Sequence, residues 1–121
     1  MTTELIKNVW YMGALSEELK AGAFVTRQIM GEPVVFVRKV SGEVFALRDI
    51  CPHRGIPLSY GRLVENQMEC PYHGWRFNNQ GTCTKIPSLC EGQDLDATKI
   101  KVRSFPVKEQ QGVIWLFFGD K

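Results

Sequence analysis

Two short segments rich in proline and glycine constrain this chain more than any other feature. Residues 51–61 read C-P-H-R-G-I-P-L-S-Y-G, and residues 70–74 read C-P-Y-H-G. Each opens on a cysteine, and each holds one of the chain's two histidines. Proline and glycine at this density break helices and central strands, so both segments are expected as loops projecting from a sheet framework. Brought together, two such loops can clamp an object larger than a single ion.

The framework itself reads as β. Apolar residues alternate with period two, and long helical periodicity is scarce. Strands are expected from Asn8 to Gly13, Phe24 to Met30, Pro33 to Val40 and Val44 to Leu47, the last two joined by a hairpin turn at Ser41-Gly42. A further pair, Val102 to Glu109 and Val113 to Phe118, flanks Gln110-Gln111-Gly112. One helical turn fits Ser16 to Gly22, with Ser16 as its N-cap and acids in its first turn. Pro87 to Asp96 reads as a polar loop. Many short strands separated by turns argue an all-β sandwich or small barrel. At 121 residues, with no interior linker or repeat, residues 1–121 are expected as a single domain.

Charge excludes some functions. Fifteen Lys and Arg against thirteen Asp and Glu leave a net charge of +2, so no cationic nucleic-acid face is indicated. No apolar run approaches the ~18 residues of a membrane span, and the first residues lack a secretory signal pattern. The expectation is a cytoplasmic protein with no nucleic-acid or membrane partner. Its four cysteines are too few for a disulfide scaffold.

The chemistry gathers at Cys51, His53, Cys70 and His73. Sixteen residues separate the Cys-x-His from the Cys-x-x-His pair, and together they offer two thiolates and two imidazoles. A two-iron, two-sulfide cluster fits this set, with both thiolates on one iron and both imidazoles on the other. Structural zinc is the competing reading. The interleaved order Cys-His-Cys-His, with one residue between Cys51 and His53, departs from the usual zinc spacing of a cysteine pair followed by a histidine pair. Cys83 and Cys90 complete no second site, because no further histidine exists. Each is expected as a small buried residue or a loop thiol, and a disulfide between them is disfavoured in a reducing compartment.

C-P-H-R-G at 51–55 together with C-P-Y-H-G-W at 70–75 resembles the Rieske iron–sulfur motif. The resemblance implies a Rieske-type antiparallel β-sandwich with a small cluster-binding subdomain of two loops, 51–61 and 70–77. It implies a Rieske [2Fe-2S] cluster, with Cys51 and Cys70 on the ferric iron and His53 and His73 on the redox-active iron. Gly55 and Gly74 then let backbone N–H groups approach the sulfides, while Pro52, Pro57 and Pro71 stiffen the loops. High-potential members carry a loop-bracing disulfide where this chain has Ile56 and Tyr72. They also carry a serine hydrogen-bond donor where this chain has Trp75. The resemblance therefore implies a potential at the low end of the Rieske range, around −150 mV. It also implies a potential that depends on pH under alkaline conditions, since reduction raises the affinity of the imidazoles for protons.

Within the low-potential group, several segments resemble the N-terminal Rieske domain of ring-hydroxylating and O-demethylating oxygenases. They are Asn8-x-Trp10-Tyr11, Cys70 to Phe77, Gly81-x-Cys83-x-x-Ile86-Pro87, Gly112-x-Ile114-Trp115 and Gly119-Asp120. In that family the cluster passes electrons to a mononuclear iron held by two histidines and a carboxylate. No histidine is left here for such an iron, so no catalytic residue is assigned and oxygenation by these 121 residues alone is excluded. The implied partners are a flavin reductase or ferredoxin as electron donor and a mononuclear-iron oxygenase domain as acceptor, with His73 as the exit toward a carboxylate on a neighbouring subunit. The alternative is a free-standing Rieske-type ferredoxin between a flavin reductase and an oxygenase.

Other residues carry paired readings. Arg54 and Arg76 flank the loops as docking cations or as ordinary solvated arginines. Trp75 and Phe77, alternating with Arg76, are expected to pack inward from a strand. Trp10, Tyr11 and Trp115 are expected in the framework core. Ser59 and Tyr60 follow the first loop as candidate cover for the cluster.

Overall fold

The computed structural model describes residues 9–29, 31–51, 56–71, 75–85 and 101–118. His53, His73, Pro52, Arg54, Gly55, Gly74, Cys90 and the expected loop from Pro87 to Asp96 lie outside the described residues. Among those described, eleven strands form three antiparallel sheets. β1 (Val9–Leu15), β10 (Val107–Gln110) and β11 (Val113–Phe118) make the first, in the order β1-β11-β10. β2 (Ala23–Ile29), β3 (Glu32–Arg38), β4 (Val44–Arg48) and β9 (Ser104–Phe105) make the second, in that order. β5 (Arg62–Val64), β6 (Gln67–Glu69), β7 (Arg76–Phe77) and β8 (Cys83–Lys85) make the third, a meander. Among the described residues no helix is long and apolar enough to cross a membrane.

β3 explains how the layers stack. Its residues Val34, Val35, Phe36 and Val37 are all inaccessible to solvent. Successive strand residues face opposite ways, so an unbroken apolar run marks a strand covered on both sides. Val34 and Phe36 join a core with Ala14, Ile114 and Leu116 of the first sheet. Val35 and Val37 join another with Met68, Phe77 and Cys83 of the third. Each such side chain, taken from water, contributes about 1.5–3 kcal/mol. At Gly13 a side chain would overlap the Phe36 ring, so that glycine lets β1 settle directly onto the central strand.

Turn chemistry fixes two hairpins where the sequence placed them. Gly42 (φ 102°) lies in the turn between β3 and β4, and its N–H donates to the Lys39 carbonyl at 2.9 Å. Gln111 (φ 55°) and Gly112 (φ 77°) both take the left-handed conformation between β10 and β11, as a two-residue hairpin turn requires.

Three expectations are corrected. The helical turn is a single 3₁₀ turn over Ser16–Glu18, and Ser16 lies inside it while Leu15 holds the N-cap position. The side chain that closes it belongs to Glu18, which accepts the Leu15 N–H at 2.8 Å. Trp10 and Trp115 are not in the core. Ile114 and Leu116 take the inward positions of β11, so alternation turns Trp115 and Phe117 outward. Trp10 sits opposite Phe117 with ring centroids 5.2 Å apart, and the Lys108 ammonium lies 4.7 Å over its ring. Tyr11 does pack against the first core. Finally, residues 62–69, left without an element by the sequence, form the hairpin β5–β6 through Glu65 (φ 51°) and Asn66 (φ 63°).

Candidate metal centre

Both cysteines lie just past the end of an interior strand, and each loop closes within a few residues. Cys51 lies three positions past the end of β4, and Cys70 follows β6 directly. The Cys51 N–H donates to the Ile56 carbonyl at 2.7 Å, and the Cys70 N–H donates to the Trp75 carbonyl at 2.6 Å. Each cysteine therefore closes its own loop onto the residue five positions on. Both are buried, at 0% and 1% exposure, within one contiguous core that also contains Leu58, Met68, Trp75 and Phe77.

The donor chemistry fits an iron–sulfur centre. Two soft sulfur donors open two matched loops over one apolar base, which keeps water from their inner side. His53 and His73, the other two expected donors, lie outside the described residues, so the structure places half of the set.

Three residues that sequence reasoning passed over frame the loops. Asp49, 5% exposed, precedes Cys51 by two positions. Its carboxylate accepts the Ser59 N–H at 2.7 Å and the Ser59 hydroxyl at 2.6 Å, while its own N–H donates to the Pro33 carbonyl at 2.9 Å. Both ends of the first loop are thus tied to the central sheet. The tie holds a 3₁₀ turn over Leu58–Tyr60, which drives Leu58 into the core. Ser59 therefore serves Asp49, and Tyr60 stands 74% exposed.

Gly61 ends that turn against the Glu69 carbonyl, where any side chain would collide with backbone. Its φ of −91° is ordinary, so close approach is the reason for glycine here.

Glu69 is the third. Its carboxylate accepts Arg62 Nε at 2.9 Å and Arg76 Nε at 3.0 Å. The hydrogen bond from Arg62 holds its pKa below the usual carboxylate range; partial burial opposes this and the bond from Arg76 reinforces it. Arg76 is therefore not the freely solvated arginine of one reading. Its side chain is 17% exposed and ion-paired across the third sheet. Arg54 lies outside the described residues. Trp75 and Phe77 pack inward as expected, and Cys83, on β8, is buried in the same core as Cys51 and Cys70. A seven-residue recurrence, Arg62, Glu69, Arg76, was the available sequence signal for the ion pairs.

A family model described as the Rieske [2Fe-2S] domain matches residues 9–106. Dicamba O-demethylase, oxygenase component, of Stenotrophomonas maltophilia is 43% identical over 115 residues, covering 95% of this chain and 33% of the relative. The crystal structure of apo dicamba monooxygenase superposes with a TM-score of 0.84 at 43% identity, over 94% of this chain and 34% of the other. A structure of the oxygenase and ferredoxin complex of carbazole 1,9a-dioxygenase gives a TM-score of 0.83 at 27% identity, over 95% of this chain and 30% of the other. The chain thus spans about a third of the length of these relatives. With its sheets, its matched loops and their cysteines in place, this chain belongs to the Rieske [2Fe-2S] domain family, whose cofactor is a Rieske-type two-iron, two-sulfide cluster.

Proposed function

We propose that residues 1–121 form one electron-transfer domain, acting within a Rieske non-haem iron oxygenase, in which Cys51, His53, Cys70 and His73 hold the cluster. The observation that carries this reading is the pair of matched loop closures, which bring two buried cysteines to one core. When bound, the cluster supplies one-electron exchange at low potential. The chain's own residues do the rest. Cys51 and Cys70 supply anionic sulfur from the buried side. Each histidine would give one ring nitrogen to iron and keep the other to hydrogen-bond a partner. Leu58, Trp75 and Phe77 exclude water beneath.

The acceptor is a mononuclear iron in an oxygenase domain, since the chain has only two histidines and both belong to the cluster. The donor is a flavin reductase or a ferredoxin. The relatives support this setting: one is the oxygenase component of a demethylase, and another is an oxygenase solved in complex with a ferredoxin.

Anaerobic purification followed by dithionite reduction tests the reading. The expected result is a Rieske-type electron paramagnetic resonance signal, with iron and acid-labile sulfide in equal amounts. A colourless protein containing zinc and no labile sulfide overturns it. Direct reduction by a flavin reductase, with delivery to a separate oxygenase in solution, would make the chain a free-standing carrier instead.

A further inference from the structure

We propose that Glu69 is a positioning residue that holds the two cysteine-led loops at a fixed spacing; the inference rests on those loops carrying the cluster. Arg62 is the first residue after Gly61, where the first loop ends. Glu69 immediately precedes Cys70, where the second loop begins. Arg76 immediately follows Trp75, whose carbonyl closes the second loop. One carboxylate therefore grips the end of one loop and both ends of the other.

The strand register puts this beyond accident of a flexible surface. Arg62 pairs with Glu69 across β5 and β6, and Glu69 pairs with Arg76 across β6 and β7. Directly opposed residues share a sheet face, so the three side chains stand in one row. Each carboxylate oxygen takes a different guanidinium, Oε1 from Arg62 and Oε2 from Arg76. The Glu69 and Arg76 side chains are only 14% and 17% exposed, which sets the pair apart from solvent-screened ion pairs. The backbone of Glu69 acts in the same sense, because its carbonyl is the surface against which Gly61 is pressed. Side chain and main chain of one residue thus fix the distance between the loops.

A role confined to strand pairing would lower overall stability and leave the cluster's environment alone. A positioning role loosens the cluster while the sheets persist. Two variants of the holoprotein separate these, Glu69→Gln and Arg62→Gln, the latter at a side chain 74% exposed and so harmless to the fold. The readouts are the rate at which an iron chelator bleaches the visible absorption well below the unfolding temperature, the resonance spectrum of the reduced protein, and far-UV circular dichroism. Glu69→Gln is expected to bleach roughly 10-fold faster than the unaltered protein, with shifted resonance values and an unchanged dichroism spectrum. Arg62→Gln frees only the first loop and is expected to give a smaller acceleration. Bleaching of both at the unaltered rate overturns the inference, and if Glu69→Gln does not accumulate, Arg62→Gln decides it alone. An unaltered protein that takes up no cluster overturns the functional reading beneath it, which is a separate result.

Discussion

The two faces of the central sheet are built on different principles. Toward the first sheet the core is Ala14, Leu19, Ile29, Val34, Phe36, Ala46, Phe105, Ile114 and Leu116, with no sulfur among the described residues. Its partner strands run four to seven residues. Toward the third sheet the core includes Cys51, Met68, Cys70 and Cys83, and the partner strands run only two or three residues. Long strands hold themselves together by repeated pairing and burial. Strands of two or three residues do not, and here polar side chains supply the missing ties: Asp49 on Ser59, and Glu69 on Arg62 and Arg76. One face is a framework. The other gives up regular backbone so that two loops can meet a metal.

If the faces are separable in this way, substitutions should divide cleanly between loss of cofactor and loss of fold. The largest effect is expected at the proposed ligands. Cys70→Ala or His73→Ala should abolish acid-labile sulfide or convert the spectrum, since a methyl cannot bind iron, while the far-UV dichroism of the framework persists. An unaltered visible spectrum would break the comparison at its root. Next comes Phe36→Ala on the framework face, which should cost about 3–5 kcal/mol in denaturant unfolding. The colour per folded molecule should stay the same; a parallel loss of colour would show that the two cores act as one. Asp49→Ala strands the Ser59 N–H at the edge of the sulfur-bearing core and should cost about 1–3 kcal/mol. Its cluster should also bleach faster, which Phe36→Ala should not reproduce.

The smallest effect concerns pH. The hydrogen bond from Arg38 holds the Glu109 carboxyl below its ordinary pKa of 4.5, against partial burial. A depressed carboxylate stabilises the fold above the unfolded-state pKa, and that contribution is lost as pH falls through the folded-state value. Glu109→Gln should therefore lower the melting temperature slightly at pH 7, by less than about 1 kcal/mol in stability. The gap should close as pH drops below 4.5. A gap that persists in acid would mean the ion pair between β10 and β3 is not its source.

Legibility from sequence followed the same division. Pro33 to Val40 was legible as a strand, though not as one covered on both faces, and Gln110-Gln111-Gly112 as the turn between two strands. The cysteine and histidine spacing announced the family and its cofactor. The β5–β6 hairpin was hidden, because three-residue strands are too short to show alternation and Glu65-Asn66 lacks the glycine that flags a left-handed turn. Trp10 and Trp115 misled because aromatic bulk says nothing about which face of an alternating strand points inward. Arg76 misled for a related reason. Its partner depends on which residues of β6 and β7 stand opposite one another, and that register is decided in three dimensions.

The two loop closures use only main-chain atoms, an amide at the cysteine end and a carbonyl at the other. The closing bonds themselves need no side chain at either end. Exchanging residues other than the proposed ligands within either bay is therefore expected to retune the potential of the bound cluster while leaving the mould intact.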